Sequence, residues 1–215
     1  MQRYALPLVF ALSSTACGGM TMALQAPVSS AAPTPIEVKG KIATMGDMSF
    51  ERTKGGMVSK FSGSAGPWGG EKIKQNFEYS TSDGWAGNCA FASGSQSIAG
   101  FDLPSSGGLM CTISKDGSNW TLNLEAVNDG GKRLVGTYSD GTTTVDVRMS
   151  REIEGSGFSM FIGYTMASGG GGVAAVQVNG NKALWMVEGA PSPEAIRASV
   201  GAYVFSYSAV QQATQ

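Results

Sequence analysis

Few side chains in this sequence could carry out catalysis. Histidine is absent from all 215 residues, which removes the imidazole general base, the Ser-His-Asp triad and zinc motifs built on histidine pairs. Carboxylates remain candidates, because two of them can hydrolyse a glycosidic bond. Four lie close together in the chain: Asp140, Asp146, Glu152 and Glu154. A solvated surface is the favoured interpretation, since Asp140 falls in a predicted turn and Asp146 faces solvent beside Arg148. A carboxylate-dependent hydrolase is the alternative.

Two glycine-rich stretches could be taken for phosphate-binding loops. Gly130-Gly131-Lys132 lacks the upstream glycine and the following Ser or Thr of a Walker loop. Glycines 169–172 lie between two predicted strands, with no helix start to supply amide groups. Both stretches therefore predict hairpin loops, and we expect neither a cofactor nor a metal site.

Two tryptophans, Trp68 and Trp85, lie in glycine-rich, loop-like surroundings. Exposed aromatic residues in loops often contact partners, so both are possible contact residues. The alternative is that they fold back as lids on the core, and we favour it. Trp120 and Trp185 occupy strand-like segments and are expected in the core.

The N-terminus has the layout of an export signal: Arg3 precedes a short apolar run and then small residues. The run is too short to span a bilayer, which needs roughly 20 apolar residues. It ends at Cys17, directly after Ala16, and this resembles the lipobox of bacterial lipoproteins. The resemblance covers residues 1–18 and implies that Cys17 becomes the acylated first residue of the mature protein. Gly18, where Asp would imply retention at the inner membrane, favours the outer membrane.

An ordinary signal cleavage is the alternative for the N-terminus. Ser14-Thr15-Ala16 satisfies the small-x-small rule and would leave Cys17 as a free thiol.

The composition favours an exported β protein. Fifteen basic and sixteen acidic residues give a net charge of −1, and without a basic patch we expect no nucleic-acid partner. Charged residues are sparse, and glycine is abundant. This balance is uncommon in helical bundles.

Two cysteines remain after Cys17 is assigned to the anchor. Cys89 and Cys111 lie on strand-like segments, and an oxidising compartment would let them form a disulfide. Two buried reduced thiols are the alternative.

The predicted domain organisation has three parts. Residues 1–16 are the signal peptide, 17–35 a lipid-anchored flexible tether, and 36–215 a single β-rich domain. The tether is predicted from three prolines and the lack of periodicity; as a flexible coil it would span about 23 Å.

From Ile36 onward, short runs rich in Val, Ile, Thr, Phe and Tyr alternate with Gly and Asn or Asp clusters, which predicts strands and turns. The clearest alternation begins at Trp120 and continues through two further strands to Ser150. We predict a mainly β fold, an antiparallel sheet of about eight to ten strands forming a sandwich or partly open barrel.

One helix is predicted at the C-terminus, packed on the sheet. Ser192-Pro193-Glu194 is typical of a helix start, and apolar residues recur at helical spacing from Ile196 to Tyr207. Gly201 and the alternation of aromatic residues after it also allow a short helix followed by a strand.

The favoured function is a non-enzymatic structural or interaction module of the bacterial cell envelope. Its expected partners are the membrane, through the acyl anchor, and an envelope protein; the expected location is the outer membrane, facing the periplasm or the surface. The alternative function is binding of a small apolar ligand or lipid in a β-sheet pocket. It is suggested by eight methionines after residue 40, because methionine makes adaptable pocket linings.

Overall fold

The computed structural model describes residues 20–65, 68–98, 101–128 and 132–214. Within these ranges it contains thirteen strands, one α-helix and a 3-10 helix, Val28–Ser30. The strands are β1 (Thr34–Lys39), β2 (Ile42–Met45), β3 (Met48–Gly55), β4 (Ser59–Ala65), β5 (Trp68–Thr81), β6 (Ala86–Ile98), β7 (Phe101–Lys115), β8 (Ser118–Asn128), β9 (Lys132–Ser139), β10 (Thr144–Glu152), β11 (Ser159–Ser168), β12 (Gly171–Gln177) and β13 (Ala183–Met186). The helix is α1 (Pro193–Thr214).

Two long-range pairings close the antiparallel sheet on itself. In β1, Thr34 lies opposite Leu184 of β13, and β3 pairs with the second half of β5. Twelve strands thus form a closed barrel, and β4 is an additional strand on the first half of β5. The predicted mainly β antiparallel fold is confirmed. The barrel is closed, however, and it contains more strands than the eight to ten expected.

The alternation read from the sequence sets the inner face of the barrel. Trp120, Leu122 and Leu124 of β8 are buried, while their neighbours along the strand are more exposed. Val145 and Val147 of β10 follow the same rule. The three successive antiparallel strands predicted for this region are β8, β9 and β10.

The C-terminal helix lies inside the barrel rather than on a face of the sheet. Fourteen of its 22 residues are buried, and the apolar ones among them belong to the same core cluster as the inward-facing strand residues. A helix that covered one face of the sheet would have a solvent-exposed side, whereas α1 is surrounded by the strands of the barrel. The alternative of a short helix followed by a strand is wrong, since α1 is continuous from Pro193 to Thr214.

Gly201 shows why this helix fits inside the ring. A Cβ atom built on Gly201 would lie 2.5 Å from Cε2 of Tyr79, a buried ring on β5. Glycine therefore lets the backbone of α1 approach the ring of Tyr79. The same glycine weakens helix propensity, which made the helix ambiguous in the sequence.

The two ends of the barrel are named here after the helix residues they hold. At the Pro193 end, α1 begins and the strands are joined by loops 46–47, 82–85, 116–117, 140–143 and 169–170. At the Thr214 end, α1 finishes, and the described connections are loops 40–41, 56–58, 153–158 and 178–182.

Residues 20–33, called here the N-terminal segment, pack on the outside of the barrel and do not form a tether. Met22 is 1% exposed, and its N–H donates a hydrogen bond of 2.8 Å to Oε1 of Gln177. Met22 and Val28 share a second apolar cluster with residues of β11, β12 and β13, including Trp185. The tether prediction missed this because the apolar residues of the segment follow no regular period.

The predicted disulfide between Cys89 and Cys111 is confirmed. The two residues lie directly opposite each other on β6 and β7. Both are buried, facing α1 within the main core cluster.

Gly201→Leu should lower the free energy of unfolding by about 3 kcal/mol, because the added side chain has no room beside Tyr79. Urea unfolding followed by circular dichroism measures the change. Gly157→Leu is the matched control, since no atom lies within 4 Å of its Cβ position; it should change the value by less than about 0.5 kcal/mol. Equal stability of the two variants would contradict the placement of α1.

Removing the disulfide with Cys89→Ala and Cys111→Ala should cost about 3 kcal/mol, because the bond closes a loop in the unfolded chain. Urea unfolding again gives the value, and Ala90→Ser with Thr112→Ser, exposed positions on the same strands, provides the control. Two free thiols in the wild-type protein under non-reducing conditions would show that the bond does not form.

Candidate functional site

Hydrogen bonds from the barrel wall hold α1 in the lumen. The hydroxyl of Tyr79 donates to the carbonyl of Ala198 at 2.8 Å, and the hydroxyl of Tyr138 donates to the carbonyl of Ala195 at 3.0 Å. Nearer the Thr214 end of the lumen, Nε2 of Gln75 donates to the carbonyl of Phe205 at 3.0 Å. These bonds satisfy wall side chains that burial would otherwise leave unpaired.

Aromatic rings fill most of the remaining space. Tyr164 of β11 stacks on Tyr203 of α1 with ring centroids 4.5 Å apart, and Trp120 packs on Tyr138 at 4.7 Å. Burial raises the pKa of Tyr79, Tyr138, Tyr164 and Tyr203. The fully buried polar residues of the described chain are Gln, Ser and Thr, with no charged residue among them. The lumen is therefore a packed core.

The four candidate carboxylates do not assemble into a catalytic pair. Asp140 lies in the loop between β9 and β10, where Oδ1 accepts hydrogen bonds from the backbone N–H groups of Thr143 and Thr142 at 2.7 and 2.9 Å. These two bonds lower the pKa of Asp140. The carboxylate thus stabilises the turn between β9 and β10. Asp146 is exposed near the start of β10, as predicted.

Distance along β10 separates the acids further. Glu152 is six residues from Asp146 on the same strand, which places them about 20 Å apart. Glycosidase carboxyl groups lie about 5 to 10 Å apart. Glu152 and Glu154 are near each other, but both are exposed at the Thr214 end of the barrel.

Trp85 belongs to the main core cluster and is buried next to β5. The backbone N–H of Trp85 donates to Oγ1 of Thr81 at 2.9 Å, and the ring is buried in the core, as in the lid interpretation. Trp68 begins β5, opposite Ala65 of β4; its side chain is not described. Cys17 lies outside the described residues.

Exposed apolar side chains concentrate at the Thr214 end. In the described chain, six of the seven large hydrophobic residues that are exposed lie at or near this end, and the seventh, Met110, lies on the barrel wall. The six are Met20, Val38, Ile42, Met57, Phe61 and Phe158. Of these, Phe158 and Met57 are 84% and 82% exposed.

Phe158 was not identified from the sequence as a candidate contact residue. It ends the loop 153–158 and directly precedes β11. The signal that marked Trp85 is present here too, since Phe158 follows Gly155-Ser156-Gly157. Glycine and serine around a large aromatic residue favour a loop tip.

A groove of about 650 Å³ lies beside Phe158 at the Thr214 end. The N-terminal segment forms one side of it through Met20, and Ile153, Phe158 and Met160 supply further apolar lining. A second groove, of about 730 Å³, lies on the outer wall of β5, β6 and β7 and has many polar lining residues.

The Pro193 end has the opposite character, because its exposed loops are acidic. Lys115 and Arg197 are the cations in and next to these loops, and Arg197 is paired with Asp47. That ion pair lowers the pKa of Asp47. The acidic residues of this end are Asp47, Asp83, Asp116, Asp140, Glu188 and Glu194.

In the described parts of the chain, no cluster of three or more Cys, Asp or Glu side chains could hold a metal ion. No helix among the described residues has both the length and the apolarity needed to cross a membrane.

Comparisons with family models, with curated proteins and with solved structures found no match to this chain. The site is therefore interpreted from its own residues.

The buried tyrosines predict a loss of stability in alkali. Their folded pKa values are raised above the unfolded value of about 10, so they stabilise the fold below that pH. Above it, the free energy of unfolding should fall by about 1.4 kcal/mol per pH unit for each tyrosine. Urea unfolding at a series of alkaline pH values measures the slope. Tyr164→Phe should reduce this slope by about 1.4 kcal/mol per pH unit, because one tyrosine fewer loses its proton on unfolding. An unchanged slope would contradict the burial of that hydroxyl.

Proposed function

We propose that the protein is an exported, lipid-anchored protein of the bacterial cell envelope. Its β domain acts as a structural or interaction module rather than as an enzyme. The lipobox-like sequence ending at Cys17 supports the address, and the helix-filled barrel supports the type of activity.

The observation that carries the proposed activity is the position of α1. Enzymes and small-molecule carriers generally use concave, accessible sites. Here the lumen of the barrel is occupied by the chain's own helix, with Tyr79, Tyr138 and Gln75 bonded to its carbonyl groups. The candidate acids lie outside, at opposite ends of the barrel. Contact with another molecule is thus left to the outer surface, where the Thr214 end has the exposed apolar residues.

The alternative function, binding of an apolar ligand or lipid in a β-sheet pocket, has weaker support. Several of the methionines that suggested it are packed in the core, Met45 and Met166 among them. A ligand in the lumen would have to displace α1. The groove beside Phe158 remains available for an apolar chain, but it lies on the outside.

The intact mass of the protein from bacterial membranes tests the proposal. A chain that begins at Cys17 and carries acyl groups is expected. Cys17→Ser should abolish acylation and release the protein from the membrane fraction, because a single chain or none gives only marginal anchoring. Ser13→Ala is the control, since it leaves the cysteine and the three residues before it unchanged.

An unacylated wild-type chain in the soluble fraction would refute the lipid anchor. A co-purifying lipid mass in native mass spectrometry of the Cys17→Ser protein would instead favour the ligand-binding alternative.

A further inference from the structure

The packed N-terminal segment leaves only a short link between the barrel and Cys17. Met20 is the first described residue, and its carbonyl accepts a hydrogen bond of 2.7 Å from Nε2 of Gln177 on β12. Met20 is three positions after Cys17, with Gly18 and Gly19 between them, and a fully extended chain spans at most about 3.6 Å per position. An acyl group on Cys17 would therefore hold Met20 within about 11 Å of the membrane surface.

The position of Met20 determines which part of the barrel this link brings to the membrane. Met20 lies at the Thr214 end, where it contacts the loop that contains Gly180. It also lines the groove that contains Ile153, Phe158 and Met160. The most exposed large hydrophobic residue of the described chain, Phe158, is thus on the same groove as the attachment point.

We propose that the Thr214 end of the barrel lies against the lipid bilayer and that the ring of Phe158 inserts into it. This inference rests on the acylation of Cys17 proposed above and adds the orientation of the domain. The tether expected from the sequence would let the barrel turn freely. A link of two residues, Gly18 and Gly19, confines it.

The occupant of this surface is the bilayer, because the anchor and the exposed apolar residues lie at the same end. Burying an exposed phenylalanine ring among the acyl chains is favourable, because apolar surface is removed from water. Arg151, Glu152 and Glu154 lie in or just before the loop 153–158, and Lys182 lies in the loop 178–182 at the same end, so these four charges balance.

Charge at the opposite end favours the same orientation. The Pro193 end exposes six carboxylates, and its two cations leave a net negative charge. An anionic bilayer repels that end, and this repulsion decays within about 10 Å of the membrane surface. When the Thr214 end lies against the bilayer, the acidic loops are separated from the bilayer by the length of the strands.

Depth-dependent fluorescence quenching tests the orientation. The full acylated protein is reconstituted in vesicles of phosphatidylethanolamine and phosphatidylglycerol with brominated acyl chains. Three variants each add one tryptophan at an exposed position: Phe158→Trp at the Thr214 end, Met110→Trp on the wall and Thr142→Trp at the Pro193 end. The emission of the wild-type protein is subtracted from each.

Tryptophan at position 158 should lose most of its added emission to the brominated lipid and be protected from a water-soluble quencher. Tryptophan at position 142 should show the reverse, and position 110 should remain accessible from water. Because all three residues are exposed, the substitutions do not disturb the core.

The intact mass of each preparation separates the two proposals. Acylated protein without lipid quenching at position 158 would overturn the orientation and leave the anchor standing, and so would equal quenching at 158 and 142. Unacylated protein without quenching would overturn both.

Unacylated protein in which position 158 is still quenched would refute the anchor and support insertion of Phe158 by itself. Protection of position 158 from the aqueous quencher without lipid quenching would indicate a protein partner and overturn bilayer contact.

Discussion

The fold depends on filling the lumen of a twelve-stranded ring. Eight strands leave an interior that side chains fill by themselves, and wider barrels enclose a cavity or a plug. This chain supplies its plug from its own C-terminus, and α1 is apolar on nearly all sides as a result. The glycine against Tyr79 and the alanines that accept hydrogen bonds from wall tyrosines follow from the same requirement. The helix and the inner face of the ring share one core, so neither buries its apolar side chains without the other.

With the interior occupied, the surfaces available for contact are the outer wall and the two ends of the barrel. The ends differ sharply, since one exposes carboxylates and the other exposes Phe158, Met57 and Phe61. The N-terminal segment reinforces this difference, because it begins at the apolar end before crossing the outside of β11, β12 and β13. The start of the N-terminal segment and the exposed apolar residues therefore lie at the same end of the barrel, the Thr214 end.

Local patterns in the sequence predicted much of the barrel and none of its closure. The alternation from Trp120 to Ser150 predicted β8, β9 and β10, because a strand with one wet face records its orientation in every second residue. The pairings of β1 with β13 and of β3 with β5 join residues far apart in the chain, and no local pattern encodes them. The second half of β6 and the first half of β7 are rich in glycine and serine, so little alternation marks these parts of the two strands.

The same limit applies to the site. A helix buried on all sides has no amphipathic stripe, so the pattern from Ile196 to Tyr207 indicated a helix but not its surroundings. Met22 and Val28 were read as parts of a tether, since only the fold brings Trp185 beneath them. Phe158 was not recognised as a contact residue, because its exposure depends on where the loop 153–158 turns.

The position of α1 at the end of the chain has a consequence for biogenesis. The ring closes through its first and last strands, and its apolar inner wall has nothing to pack against until residues 193–214 have arrived. A chain that emerges N-terminus first thus remains without its core until residues 193–214 have been delivered. The export proposed above would therefore suit a pathway that moves unfolded chains, because the fold cannot be completed before residues 193–214 have been made.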